Sequence, residues 1–218
     1  MSIQLILFDL DGTLVDTSRD ITNALNYSLS PYGLDGISVE ATIKIIGEGL
    51  TRLIEKVLGK ERYHLKDAVS KRFLDYYSAH LVDNSQIYPH VRETLDMLSG
   101  YRKAVISNKR EYLSVNLLKQ LDLDGYFELI IGSDTTPERK PSAGPLLYVL
   151  SKLQISPRET VMVGDSQYDI EAGHNAGVKT VAVTYGYQEK GLLTSADYII
   201  DSFRDLHGIL DIASSKFI

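Results

Sequence analysis

The chain has 218 residues, of which 44% are hydrophobic and 24% are charged, which is typical of a globular protein with one core or a core plus a small accessory domain. The formal net charge of −6 argues against nucleic-acid binding through a basic surface, and the absence of cysteine excludes disulfides, thiolate metal sites and cysteine nucleophiles. With no apolar run near the roughly 20 residues of a membrane span and no recognisable signal peptide, we expect a cytoplasmic protein that does not bind membranes.

The first predicted element is a short apolar strand over residues 4–8, which ends directly before Asp9 and Asp11. A wholly apolar run of this length is typical of a strand buried in a parallel sheet. Side chains two residues apart share one face of an extended chain, and Gly12 permits a sharp turn after them. The pattern therefore predicts two neighbouring carboxylates at the end of the first strand.

Residues 18–81 have helical periodicity and no strand signal. Glycine and proline separate four predicted helices, over residues 20–29, 39–46, 50–58 and 68–81. We therefore expect a helical-bundle cap domain over residues 17–83, inserted into an α/β core formed by residues 1–16 and 84–218.

Helices and strands alternate after Pro89. The predicted strands are residues 103–107, 127–132, 160–165, 179–184 and 196–201, and the predicted helices are residues 91–98, 111–121, 145–153, 168–176 and 203–212. This alternation predicts a Rossmann-like parallel sheet with helices on both faces. Ligands of such sheets bind at the carboxyl ends of the strands, and the predicted insertion leaves the core from that same end.

More polar residues follow the later strands. Ser107 and Asn108 follow one strand, Asp165 follows another with Asp169 four residues later, and Lys140 lies in a loop before a helix. Two carboxylates about 4 Å apart repel by roughly 4 kcal/mol at an effective dielectric near 20, so the predicted acidic cluster needs positive charge. Mg²⁺, which prefers hard oxygen ligands, and Lys140 would supply it. With a hydroxyl and helix N-terminal amides nearby, the set indicates phosphoryl chemistry.

The stretch FDLDGTLVDT at residues 8–17, followed in order by Ser107, Lys140 with Pro141, and GDSQYD at residues 164–169, resembles the motif series of the haloacid dehalogenase superfamily. The resemblance extends along nearly the whole chain. The helical insertion, its loop at residues 45–50 and the segment at residues 183–187 are similar to the phosphoglycolate phosphatase branch, which carries a small helical cap.

The resemblance implies a role for each matching residue. Asp9 would attack phosphorus to form an aspartyl-phosphate, and Asp11 would protonate the leaving alcohol and then activate water. Ser107 and Lys140 would complete the catalytic set, and both would hold the phosphoryl group together with the Asn108 backbone.

The resemblance also implies a magnesium site and a contact from the cap. Asp9, Asp165 and the main-chain carbonyl of Asp11 would bind Mg²⁺, with Asp169 in support behind them. Gly47 in the cap loop would contact the substrate.

Lys44 and Arg52 flank the cap loop. They are candidate contacts for a substrate carboxylate, and the alternative is that they lie on a solvated helix face.

The expected function is hydrolysis of a small phosphomonoester similar to phosphoglycolate. The alternatives are a phosphomutase of the β-phosphoglucomutase type, or a pyrophosphatase or nucleotidase of the same superfamily. The mutase branch usually has a basic residue in the cap loop, whereas this loop reads Gly-Glu-Gly at residues 47–49. The presence of all four residues Asp9, Asp11, Lys140 and Asp165 argues against a non-catalytic binding or regulatory protein. The sequence leaves the oligomeric state open between monomer and homodimer.

Overall fold

Strands and helices alternate in the computed structural model, which describes residues 2–215 and the side chains of residues 2–212. The strands are β1 (Leu5–Phe8), β2 (Val15–Asp16), β3 (Gln86–Ile87), β4 (Arg102–Ile106), β5 (Leu129–Ile131), β6 (Thr160–Gly164), β7 (Lys179–Val183) and β8 (Tyr198–Ile200). The helices are α1 (Ser18–Leu29), α2 (Val39–Ile43), α3 (Leu50–Leu58), α4 (Lys66–Ala79), α5 (Val91–Met97), α6 (Glu111–Gln120), α7 (Gly144–Leu153), α8 (Gln167–Ala176) and α9 (Leu206–Ser215).

Six strands form one parallel sheet in the order β5-β4-β1-β6-β7-β8, so β1 lies at its centre. Because successive side chains of a strand point to opposite faces, β1 is buried on both. Leu5 and Leu7 pack with apolar residues of α7 and α8, whereas Ile6 and Phe8 pack with those of α5, α6 and α9. The predicted α/β fold with a parallel sheet is confirmed.

Helices α1 to α4 follow one another without an intervening strand. Helix α1 packs against α2 and α4, and α3 packs against α4. Their buried side chains include Leu25, Ile54, Val69 and Phe73, which belong to the same apolar cluster as one face of the sheet. We call this part of the chain the helical segment.

The two stretches of chain that connect the sheet to the helical segment lie side by side. Strands β2 and β3 pair antiparallel, with Val15 opposite Ile87. Just beyond them the buried carboxylate of Asp20 accepts hydrogen bonds from the backbone N–H groups of Asn84 (2.9 Å) and Ser85 (2.7 Å) and from both of their side chains. The predicted boundaries near residues 16 and 84 fall at this double crossing, and the division into two domains stays a prediction.

Several element boundaries differ from the sequence-based ones. Helix α2 ends at Ile43 rather than residue 46, because the chain turns into a loop in which Gly47 and Gly49 have φ values of 114° and 82°. Helix α4 runs two residues earlier than predicted at each end, and α9 begins at Leu206 after a single 3₁₀ turn.

None of the helices that the structure describes combines the length and the apolar character needed to cross a membrane.

Candidate active site

The carboxyl ends of the three central strands bring the predicted residues together. Phe8 of β1 lies opposite Val105 of β4 and Val163 of β6, so the residues that follow these strands meet at one edge. Asp9 lies there directly after β1, with its N–H donating to the Val163 carbonyl at 2.9 Å. Ser107 and Asp165 are the neighbouring strand-end residues, and all three side chains are buried.

Lys140 lies between two of the carboxylates. Its Nζ is 2.7 Å from Asp9 Oδ1 and 2.7 Å from Asp169 Oδ1, and it donates to the Ile106 carbonyl at 2.6 Å. Burial opposes a charge on this lysine, but Asp169 and Asp9 outweigh burial and raise its pKa. Lys140 is therefore a cation that offsets part of the negative charge of the cluster.

Three carboxylates form a group that fits a metal ion. Asp9, Asp165 and Asp169 each offer one oxygen, and these oxygens lie within 4.8 Å of one another. Burial, followed by repulsion from Asp169, raises the pKa of Asp9 to about 7, and burial together with Asp9 raises the pKa of Asp165 well above its ordinary value. Asp9 Oδ1 lies 2.7 Å from Lys140 Nζ and accepts from no other described residue. Hard oxygen donors with uncompensated charge are a donor set suited to a divalent cation.

The two partners of Asp9 in this group are held by different neighbours. Asp169 Oδ2 accepts hydrogen bonds from the N–H (3.1 Å) and hydroxyl (2.6 Å) of Ser166, and Oδ1 faces Lys140, so both oxygens are engaged. Ser166 and Asp169 form a capping box at the start of α8, which explains the position of this acid.

A glycine turn and a late loop hold Asp165. Its Oδ2 accepts from the Tyr187 N–H at 2.7 Å, and its Oδ1 accepts from the Thr13 hydroxyl at 3.3 Å. Gly12 has a φ of 85°, and a Cβ added there would lie 2.3 Å from Asp165 Oδ2. Only glycine fits between β1 and this carboxylate.

The side chain of Asp11 lies outside the group of three carboxylates and has its own partners. Its Oδ1 accepts from the Thr17 hydroxyl at 2.6 Å and from Lys109 Nζ at 2.6 Å. Lys109 Nζ also donates to the Tyr77 hydroxyl at 2.8 Å. Burial opposes the charge of Lys109, but Asp11 and Tyr77 outweigh burial and raise its pKa. Burial raises the pKa of Tyr77 to about 12, so this hydroxyl is neutral.

Asn108 joins the sheet edge to the helical segment. Its side-chain amide donates to the Gly47 carbonyl at 2.8 Å and to the Lys140 carbonyl at 3.0 Å. The side chain is thus engaged, which leaves its backbone as the group predicted to hold a phosphoryl oxygen. Ser107 Oγ accepts from the Lys109 N–H at 3.2 Å.

A cavity of about 70 Å³ lies between the sheet edge and the helical segment. Asp9, Asp11, Ser107, Asn108 and Asp165 line its polar side, with Gly47 at its margin; Ile21, Leu53, Phe73 and Leu113 line an apolar side. The predicted site residues thus share one cavity, apart from Lys140 and Asp169 directly behind it.

Lys44 and Arg52 do not line the cavity. Arg52 forms an ion pair with Glu55 at 2.8 Å, and its side chain is 57% exposed. The solvated-face interpretation therefore describes Arg52.

The sequence interpretation missed Lys109, Tyr77, Thr17 and Tyr187. Lys109 could have been predicted from the sequence, because it lies two residues after Ser107 and follows the same strand. Residues that follow a strand of a parallel sheet are candidates for the site at its carboxyl edge. Tyr77 contacts the site from a distant part of the chain and carries no such signal. Thr17 and Tyr187 lie in the stretches 8–17 and 183–187 that carry the family resemblance, but nothing in those stretches indicates their contacts.

Comparison with known proteins decides the family. Residues 6–183 match the sequence profile of the haloacid dehalogenase-like hydrolases. The chain belongs to this family. It is similar to a phosphoglycolate phosphatase of Chromobacterium violaceum, with 38% identity over 95% of this chain and 96% of the relative, and to one of Aquifex aeolicus, with 41% identity over 85% and 86%.

Solved structures of this hydrolase family have the same fold. The crystal structure of a predicted phosphoglycolate phosphatase from Haemophilus somnus superimposes with a TM-score of 0.87 at 32% identity, and covers 96% of this chain and 98% of its own. A haloacid dehalogenase-like hydrolase from Bacteroides fragilis gives a TM-score of 0.87 at 26% identity over 94% of this chain and 100% of its own. The predicted superfamily, its fold and the enzyme class, a phosphoric monoester hydrolase, are confirmed.

Proposed function

We propose that this hydrolase is a Mg²⁺-dependent phosphatase that cleaves a small phosphomonoester through an aspartyl-phosphate on Asp9. The proposal is carried by the position of Asp9, which is buried at the end of β1, paired with Lys140 and open to the cavity. The names of the relatives make phosphoglycolate the first ester to test.

The first step is transfer of the phosphoryl group to the protein. A carboxylate oxygen of Asp9 forms a bond to phosphorus while the bond from phosphorus to the ester oxygen breaks. The side chain of Asp11 gives a proton to the departing oxygen, which leaves as an alcohol. Lys140 stabilises the transferring group by its charge, and Ser107 with the Asn108 backbone binds the phosphoryl oxygens.

The second step returns Asp9 to its free carboxylate. Asp11, now ionised, takes a proton from water as the water oxygen attacks phosphorus. The bond between phosphorus and Asp9 breaks, and inorganic phosphate leaves. Gly47 at the cavity margin contacts the substrate from the helical segment.

The acidic group fits Mg²⁺. Asp9, Asp165 and the carbonyl of Asp11 would hold the ion, and Asp169 would orient Lys140 and the start of α8 behind them. When bound, Mg²⁺ would neutralise negative charge on the phosphoryl oxygens.

Phosphate release from a panel of small esters that includes phosphoglycolate tests this function. We expect release with Mg²⁺, none with EDTA, and a loss of about a thousandfold or more in Asp9→Asn. Asp35→Asn, a change in an exposed loop, is the matched control and is expected to keep wild-type activity.

Two results would overturn the proposal: hydrolysis of no ester in the panel, or full activity in Asp9→Asn. A phosphorylated sugar that isomerises faster than phosphate appears would identify a mutase instead.

A further inference from the structure

Lys109 is a buried cation to which the proposed reaction gives no role. It is 9% exposed and follows β4 by three residues, yet its Nζ reaches two oxygens that are distant in sequence. One belongs to Asp11 at 2.6 Å and the other to Tyr77 at 2.8 Å. An ammonium group has three donors, and these two acceptors determine where it lies.

Tyr77 is part of the helical segment. It lies in α4 and is 1% exposed, its hydroxyl faces Lys109, and its ring centroid is 4.9 Å from Lys109 Nζ. Since α4 packs on α1 and α3, the hydroxyl is placed by the packing of the helices and not by the sheet. The contacts therefore form a chain from helix α4 through Lys109 to the carboxylate of Asp11.

The remaining contact on Asp11 Oδ1 is from the Thr17 hydroxyl, at 2.6 Å. Two donors on one oxygen hold the carboxylate in a single orientation. In the second step the proton of the attacking water goes to this carboxylate, so its orientation matters there. Loss of the Tyr77 oxygen would leave Lys109 Nζ with one fewer acceptor. The ammonium group could then move, and the orientation of the Asp11 carboxylate would no longer be fixed.

We propose that Tyr77 is a positioning residue that acts through Lys109 to hold the Asp11 carboxylate for proton abstraction from water. The helical segment thereby helps to position the general base of the second step. This inference rests on the proposed function, since it assumes that Asp11 is that base.

The test separates the two steps with p-nitrophenyl phosphate, whose leaving group departs without a proton. In Tyr77→Phe we expect kcat to fall about tenfold while kcat/KM stays unchanged, because kcat/KM reports the first step and only the second is slowed. Rapid mixing should then show a burst of p-nitrophenol before slow turnover.

Tyr76→Phe is the matched control, because Tyr76 is the preceding residue of α4 and stacks on Tyr27 and His80, away from the cavity. It should leave both kinetic constants unchanged. Lys109→Gln should give the same division between kcat and kcat/KM, and adding Tyr77→Phe to it should have no further effect, because Tyr77 acts through Lys109.

Three results would overturn the inference: an unchanged kcat in Tyr77→Phe, a parallel fall in kcat and kcat/KM, or additive effects in the double variant. A parallel fall would indicate a general loosening of the site. These outcomes differ from failure of the proposed function, in which the wild-type protein itself would not hydrolyse the ester.

Discussion

Asp9 is subject to opposing electrostatic effects on its pKa. Burial and Asp169 raise its pKa to about 7 from 3.8, although Lys140 opposes the shift. An acid whose pKa is raised by folding stabilises the fold while it is protonated, and this stability is lost as pH rises through the folded pKa. Without a metal ion, the folded protein therefore becomes less stable between pH 5 and 8.

This pH dependence is a testable prediction in EDTA. From pH 5 to pH 8 the titration of Asp9 should lower the free energy of unfolding by roughly 2 to 3 kcal/mol, since one pKa unit corresponds to about 1.4 kcal/mol. Asp9→Asn should flatten this slope, whereas Asp35→Asn should keep it. Urea unfolding at several pH values measures this pH dependence. If the free energy of unfolding of Asp9→Asn fell with pH as steeply as that of the wild type, Asp9 would not be the group whose titration destabilises the fold.

The residues after strand ends were predictable because parallel strands end at one edge. Asp9, Ser107 and Asp165 needed only the strand pattern and the register. Tyr77 was not predictable, because its contact with Lys109 depends on how α4 docks onto the sheet edge. That docking is set by the packing of several helices and leaves no local pattern.

At the scale of elements, Asp20 joins the two crossings between the sheet and the helical segment. It lies in the first turn of α1, is 1% exposed, and accepts four hydrogen bonds from Asn84 and Ser85. The backbone N–H groups of the exposed Asn84 and the buried Ser85 both have this carboxylate as their acceptor. The start of α1 is thereby attached to the segment that returns to β3.

Asp20→Ala is expected to lower the free energy of unfolding by about 3 kcal/mol, because it leaves the buried N–H and hydroxyl of Ser85 without an acceptor. Asp35→Ala, in an exposed loop, should change it by less than about 0.5 kcal/mol. Urea denaturation of both variants at pH 7 measures the difference. Equal stabilities would mean that water replaces the carboxylate and that the crossing does not depend on it.

The elements themselves were predictable where a period extends over several turns or a strand is wholly apolar. Strands β2 and β3 were missed because two residues are too few to show alternation, and their pairing depends on the chain returning from the helical segment. The early end of α2 was missed because apolar residues 45 and 46 continue its pattern into the following loop.

At the scale of the molecule, two neighbouring residues of the sheet edge bind the helical segment. Asn108 donates to Gly47 in the loop before α3, and Lys109 donates to Tyr77 in α4. All four residues line the cavity of about 70 Å³. The position of the insertion over the strand ends was predictable, because the chain enters it directly after the carboxyl end of β1. These two contacts were not predictable.

In the proposed mechanism Asp9 carries the phosphoryl group between the two steps. Incubation with phosphate-labelled ester and Mg²⁺, an acid quench during turnover and peptide mapping test it most directly. We expect a label on the peptide that contains Asp9, and no label in Asp9→Asn. A label on Ser107, or rapid hydrolysis with no label on the protein, would contradict it.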